Sequence, residues 1–136
     1  MKITIQATIF VNIKKVWECY TEPQHIVHWN FASEDWCCPS AENDLRVGGK
    51  YSARMEAKDK SFGFDFEGLY KEIILEKRLV YALNEERQVD VSFEDNKDNT
   101  IVTVIFHAEN KNPVEMQKNG WQAILNNFKM YVEENC

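Results

Sequence analysis

Hydrophobic and polar residues alternate from the first positions of the chain. Ile3, Ile5, Ala7, Ile9 and Val11 fall on one side of an extended segment, and Lys2, Thr4 and Gln6 on the other. A period of two is the pattern of a half-buried strand, which is predicted over residues 2–11. The period then lengthens: Ile13, Val16, Trp17 and Tyr20 recur at helical spacing, with Asn12 placed to cap the helix they define. Thr21 and Gln24 have capping-box spacing around Pro23, which predicts a second short helix running to Trp29.

An irregular stretch containing Trp36 and Pro39 comes next. Leu45, Val47, Tyr51, Ala53 and Met55 then alternate with Arg46, Lys50, Ser52, Arg54 and Glu56, predicting a strand with a bulge at Gly48-Gly49. After a turn at Lys58-Asp59-Lys60, the residues Phe62, Phe64, Phe66 and Tyr70 mark the inward face of the following strand. Leu79-Tyr81-Leu83, Val89-Val91-Phe93 and Val102-Val104-Phe106 continue an antiparallel meander across polar turns near residues 84–86 and 95–99. The last segment predicts a long helix over residues 113–135, with Asn112 as cap, Pro113 in the first position and Glu115 in the first turn. Its apolar stripe is Trp121, Ile124, Leu125, Phe128 and Val132.

A chain of 136 residues falls in the range of one domain, and 44% hydrophobic with 28% charged residues excludes disorder and coiled coil. The unusual component is aromatic: 4 Trp, 5 Tyr and 8 Phe. A net charge of −6 without any Lys/Arg-rich block argues against a nucleic-acid partner. No apolar run reaches the ~18 residues of a membrane span, and the alternating N-terminus lacks the apolar core of a signal peptide. A cytoplasmic protein is expected.

Cys19, Cys37, Cys38 and Cys136 include a vicinal pair, unlike the frameworks of secreted domains, so reduced thiols are expected. His25, His28, Cys37 and Cys38 are the residues a metal would use. Adjacent cysteines chelate one zinc poorly, and no C-x₂-C spacing is present, so no metal and no cofactor is expected. Nor is there a nucleophile elbow, a zinc-protease motif, a phosphate loop or a dinucleotide fingerprint, and no catalytic residue is assigned. Cys37 would be nucleophilic only with a base such as His28 beside it. Of His25 and His28, one is expected on the surface and the other beside Trp29. His107, Asp65 and Glu67 take the outward strand phase.

The order of strand, two small helices, curved antiparallel sheet of six or seven strands and long closing helix resembles the α+β helix-grip fold of the START-like, Bet v-type superfamily. Val16-Trp17-Glu18-Cys19-Tyr20-Thr21-Glu22-Pro23, Trp29-Asn30, Asp44-Leu45-Arg46-Val47-Gly48-Gly49, Phe64-Asp65-Phe66-Glu67-Gly68 and the run from Gly120 to Phe128 are similar to those of its bacterial branch named for activators of heat-shock-protein ATPase. The resemblance covers essentially the whole chain and implies a hydrophobic or aromatic small molecule held between sheet and helix. It also implies a stress-response setting and a co-chaperone-like contact. Eukaryotic activators carry a separate N-terminal chaperone-binding domain for which this length leaves no room. Other superfamily members are cyclases, dehydratases or hydrolases, but none of their catalytic residues carries over.

Helix width supports the same site independently. One helix ~10 Å across cannot cover strands ~20 Å long, so inward side chains beyond its reach need another cover or enclose a pocket. Strand phase and helix face predict its lining as Tyr51, Met55, Phe64, Phe66, Tyr81, Phe93, Trp121, Leu125 and Phe128, with Trp29 and Trp36 as a lid. The alternatives are a protein-interaction module with a fully packed core and an enzyme of cyclase or hydrolase type that uses the same pocket. An edge strand leaves room for a homodimer.

Overall fold

The computed structural model describes residues 1–135; Cys136 lies outside the described residues. Seven antiparallel strands form a single sheet curled into a half-barrel, in the order β1, β7, β6, β5, β4, β3, β2. They span Lys2–Ile9 (β1), Trp36–Asn43 (β2), Lys50–Ala57 (β3), Gly63–Ile74 (β4), Arg78–Ala82 (β5), Gln88–Asp95 (β6) and Thr100–His107 (β7). Helices α1 (Ile13–Thr21) and α2 (Pro23–Ile26) separate β1 from β2, and α3 (Val114–Asn135) follows β7. This is the helix-grip architecture expected above.

Strand phase decides what is buried. On β1, Ile3, Ile5, Ala7 and Ile9 stand in register with Phe106, Val104, Val102 and Thr100 of β7, and all eight are buried. From the helices, Val16, Trp17, Leu125, Phe128 and Val132 complete the core. As expected, Asn12 caps α1: its Oδ1 accepts from the Lys15 N–H at 3.1 Å.

Several local expectations are corrected. Residues 36–43 are the edge strand β2 rather than irregular chain. Cys37-Cys38-Pro39 breaks the alternation because proline cannot donate to the ladder, and the register shifts between Cys37 and Ser40. Gly48-Gly49 lies in the turn between β2 and β3, not within a strand, and Leu45 and Val47 are exposed there. Gly48 has φ +85°, a left-handed conformation suited to glycine, and a Cβ on Gly49 would lie 2.1 Å from the Asp44 carbonyl oxygen. Phe62 precedes β4 and is exposed.

Two helix caps also differ from expectation. Thr21 closes α1 instead of opening α2, because its hydroxyl donates back to the Trp17 carbonyl at 2.8 Å; Glu22 then becomes the cap of α2. Asn112 does not offer its side chain to α3. Its backbone N–H and its Nδ2 both donate to the Glu109 carboxylate. The loop is instead pinned by buried Gln117, whose Oε1 accepts from the Glu109 N–H while Nε2 donates to the carbonyls of Glu109 and Asn112.

Within the half-barrel, α3 makes its closest approach to β1. Gln122 Nε2 donates to the Gln6 carbonyl, Lys129 Nζ to the Thr8 carbonyl, and the Phe10 N–H to Glu133. With the helix held toward that side, the concave face of β3, β4 and β5 must find its cover elsewhere.

Candidate functional site

Rings provide that cover incompletely, and a cavity of about 170 Å³ remains. Its floor comes from the sheet: Ile5 (β1), Val104 (β7), Leu79 and Tyr81 (β5), Phe64, Phe66 and Tyr70 (β4), and Tyr51 and Met55 (β3). Tyr20 of α1, Trp29 and Asn30 after α2, and Trp121, Ile124 and Leu125 of α3 form the roof. No charged side chain lines it among the described residues. Aromatic and aliphatic side chains make most of the wall, and Tyr20, Tyr51, Tyr70, Tyr81 and Asn30 supply its polar groups, a lining of the kind that pockets for small molecules carry. Gly68 shapes the floor: a Cβ there would lie 2.5 Å from Cδ2 of Tyr81, so the Tyr81 ring rests directly on the β4 backbone.

Trp29, Tyr51, Met55, Phe64, Phe66, Tyr81, Trp121 and Leu125, all singled out in the sequence, are brought together around this space. Three others are not. Phe93 packs edge-on against Trp17 and Tyr20, and Phe128 edge-on against Tyr20 and Trp29, so both belong to the solid core beneath α1. Trp36 stands outside, in edge contact with Phe62 and Phe64, where it lines an adjoining groove of about 380 Å³. Cavity and groove share Met55, Phe64, Trp121 and Ile124, which therefore mark the mouth. Phe64 is 42% exposed, a mouth residue rather than a buried wall. Among the lining residues missed in the sequence, Ile5, Tyr70, Leu79, Val104 and Ile124 carry the inward phase already recognised there. Tyr20 carries the spacing of a helix core residue, and Asn30 carries no periodic signal.

The polar groups of the cavity are mostly phenols. Tyr51 accepts a hydrogen bond from Asn30 Nδ2 at 3.1 Å, and Tyr70 donates to Asn43 Oδ1 at 2.7 Å. Asn43 Nδ2 in turn donates to the Thr21 carbonyl, tying β2 to the end of α1. Burial pushes the Tyr70 hydroxyl up to about 12. Burial first, and then repulsion among the phenolates, raises Tyr20, Tyr51 and Tyr81 as well. All four are protonated at neutral pH; of them Tyr70 donates to a protein acceptor. Trp29 is fixed by its indole N–H, which donates to the Cys19 carbonyl at 2.9 Å.

His28 is exposed, as expected for one of the two histidines, while His25 takes Tyr131 rather than Trp29 as its partner. Both engage Tyr131 of α3: His25 Nδ1 lies 2.7 Å from its hydroxyl, and the His28 ring stacks on it at 5.7 Å between centroids. Cys37 and Cys38 are unbridged thiols on β2. The Cys38 thiol is pushed up to about 11, chiefly by burial, and is a poor nucleophile at neutral pH. Among the described residues no three His, Cys, Asp or Glu side chains converge on a common point. Asp65 and Glu67 pair on the outer face with Arg54 and Lys50. None of the described helices is long and apolar enough to cross a membrane.

A curled antiparallel sheet gripping a long C-terminal helix over an aromatic-walled hollow defines a START-like helix-grip protein. Within that class the family model of Activator of Hsp90 ATPase homolog 1-like protein matches residues 11–133, and the chain belongs to this family. It is 42% identical to the AHSA1-like protein from Aeromonas hydrophila, with 98% of this chain and 93% of that one covered at a TM-score of 0.91. The Chr148 protein from Cytophaga hutchinsonii is also 42% identical, over the same shares of the two chains, at a TM-score of 0.84. The CalU16 protein from Micromonospora echinospora, 17% identical, shares the fold at a TM-score of 0.70 over 96% of this chain and 75% of its own. No curated protein matches the chain significantly.

Proposed function

We propose that this protein binds a small apolar or aromatic molecule in the cavity between the sheet and α3. The observation that carries this reading is the void of about 170 Å³ left between aromatic and aliphatic walls of the sheet and the Trp121, Ile124 and Leu125 side chains of α3. A dry engineered cavity of roughly 150 Å³ elsewhere accommodates benzene, so the space suits a single aromatic ring. Ligand pockets generally combine such walls with a few polar groups that set orientation, the role the tyrosines take here.

Native mass spectrometry of freshly purified protein tests for a retained small molecule. Titration with toluene, followed by amide NMR, gives the direct result. Shifts concentrated at Ile5, Tyr81 and Leu125, weakened by Trp121→Ala and unchanged by Glu67→Ala on the outer face, are expected; unmoved cavity amides at saturating toluene would defeat the reading. A chaperone contact is the second reading. It draws on the family description and on the exposed Phe62 and Met116, and pull-down from a lysate with the chaperone as the monitored species checks it.

A further inference from the structure

Every buried polar side chain that is sealed from solvent has a hydrogen-bond partner among the described residues. Among the described residues the Tyr20 and Tyr81 hydroxyls have none, so their oxygens are not sealed. Both residues line the cavity, and Tyr81 is only 6% exposed overall. Tyr51, 8% exposed, receives a bond from Asn30 but has no acceptor for its own proton. Tyr70 differs, since its proton already goes to Asn43. Beside Asn30, the cavity thus presents three O–H groups whose protons have no acceptor among the described residues, in walls where no described residue is a cation or an anion.

From this we infer that the cavity selects an uncharged aromatic ring bearing a hydrogen-bond acceptor, such as an aryl ketone, whose oxygen is received by the hydroxyls of Tyr20, Tyr81 and Tyr51. The inference rests on the binding function proposed above and names the class of its ligand. A buried donor left unpaired by a ligand keeps its desolvation cost, so a site built of donors discriminates against a ring that lacks an acceptor. A carboxylate offers acceptors too. It would bring a charge into low-dielectric surroundings with no lining cation to offset the loss of hydration. A phenol is protonated at neutral pH in any surroundings, and burial moves the ionisation of these three still further from it, so each keeps a proton to donate.

Three probes of matched size separate these terms: acetophenone, α-methylstyrene, in which a methylene replaces the carbonyl oxygen, and benzoate. Calorimetric titration at pH 7 is expected to show acetophenone binding about tenfold more tightly than α-methylstyrene, and benzoate weakest of the three. Tyr81→Phe and Tyr20→Phe are each expected to weaken acetophenone by roughly three- to tenfold while leaving α-methylstyrene unchanged, because only the hydroxyl is removed. Equal affinity for acetophenone and α-methylstyrene in the wild type overturns the inference and leaves the cavity function standing. Tightest binding of benzoate overturns it as well. If none of the three binds, the cavity function itself fails. Should either variant not fold, the wild-type ratio alone decides.

Discussion

Val104→Phe turns the central physical claim into a stability measurement. Val104 is 3% exposed in β7 and forms part of the cavity floor. Replacing it with phenylalanine adds about 50 Å³ of side chain, and residual cavity costs about 24 cal/mol per Å³, which gives a gain of about 1 kcal/mol if the ring enters the void unstrained. For a chain of this size that gain raises Tm by about 3–4 °C. The same ring removes the guest's space. Toluene at about a hundred times its Kd is expected to stabilise the wild type by about 2.7 kcal/mol and the variant not at all. Urea and thermal denaturation with and without toluene measure both effects. Overpacking of an already filled core costs about 1–3 kcal/mol instead. A variant destabilised by that amount, and still responsive to toluene, would refute the geometry.

Gly68→Ala places a methyl group against the Tyr81 ring and is expected to cost about 1–3 kcal/mol in urea unfolding, along with a loss of toluene shifts; a neutral variant would mean that the ring moves aside without cost. Gln117→Leu removes the three bonds that pin the loop before α3 and is expected to cost about 2 kcal/mol. Amide exchange should accelerate over the first turns of α3, and unchanged protection there would show that the pin is dispensable. The Cys38 thiol is raised from its ordinary 9.0 to about 11, so the folded state disfavours the thiolate. Its contribution is fully present below pH about 9 and is lost as pH climbs toward 11. Cys38→Ala should therefore flatten part of the alkaline decline in urea midpoint, and an identical pH profile would remove Cys38 from that account.

The composition of the cavity wall was legible in the chain because strand side chains alternate with period two. Once Tyr51, Met55, Phe66 and Tyr81 are assigned to one face, they share a side of the sheet whatever the sheet's curvature. The same phase separates Glu67 and Asp65 from them. Local order did not convey which inward rings border empty space and which are packed solid. Phe93 and Phe128 have the same periodicity as the cavity residues, yet α1 brings Trp17 and Tyr20 down onto them. The side chain of Trp36, which lies against Phe64 beside the mouth, was hard to orient for a different reason: Pro39 disrupts the edge strand, and a short irregular strand carries too little pattern to show which way its side chains face.

The sequence by itself determined the sheet, the closing helix and the apolar character of the surface between them, because these follow from periodicities that each segment carries alone. Only the tertiary structure decided that α3 packs chiefly on β1 and reaches over β3 to β5 only with side chains such as Trp121 and Ile124, which leaves a void there. That offset depends on contacts between residues more than a hundred positions apart, such as Gln6 with Gln122 and Thr8 with Lys129. The same long-range packing left the Tyr20 and Tyr81 hydroxyls without partners. A hydroxyl's bonding is settled by which chains converge around it, and no local pattern encodes that.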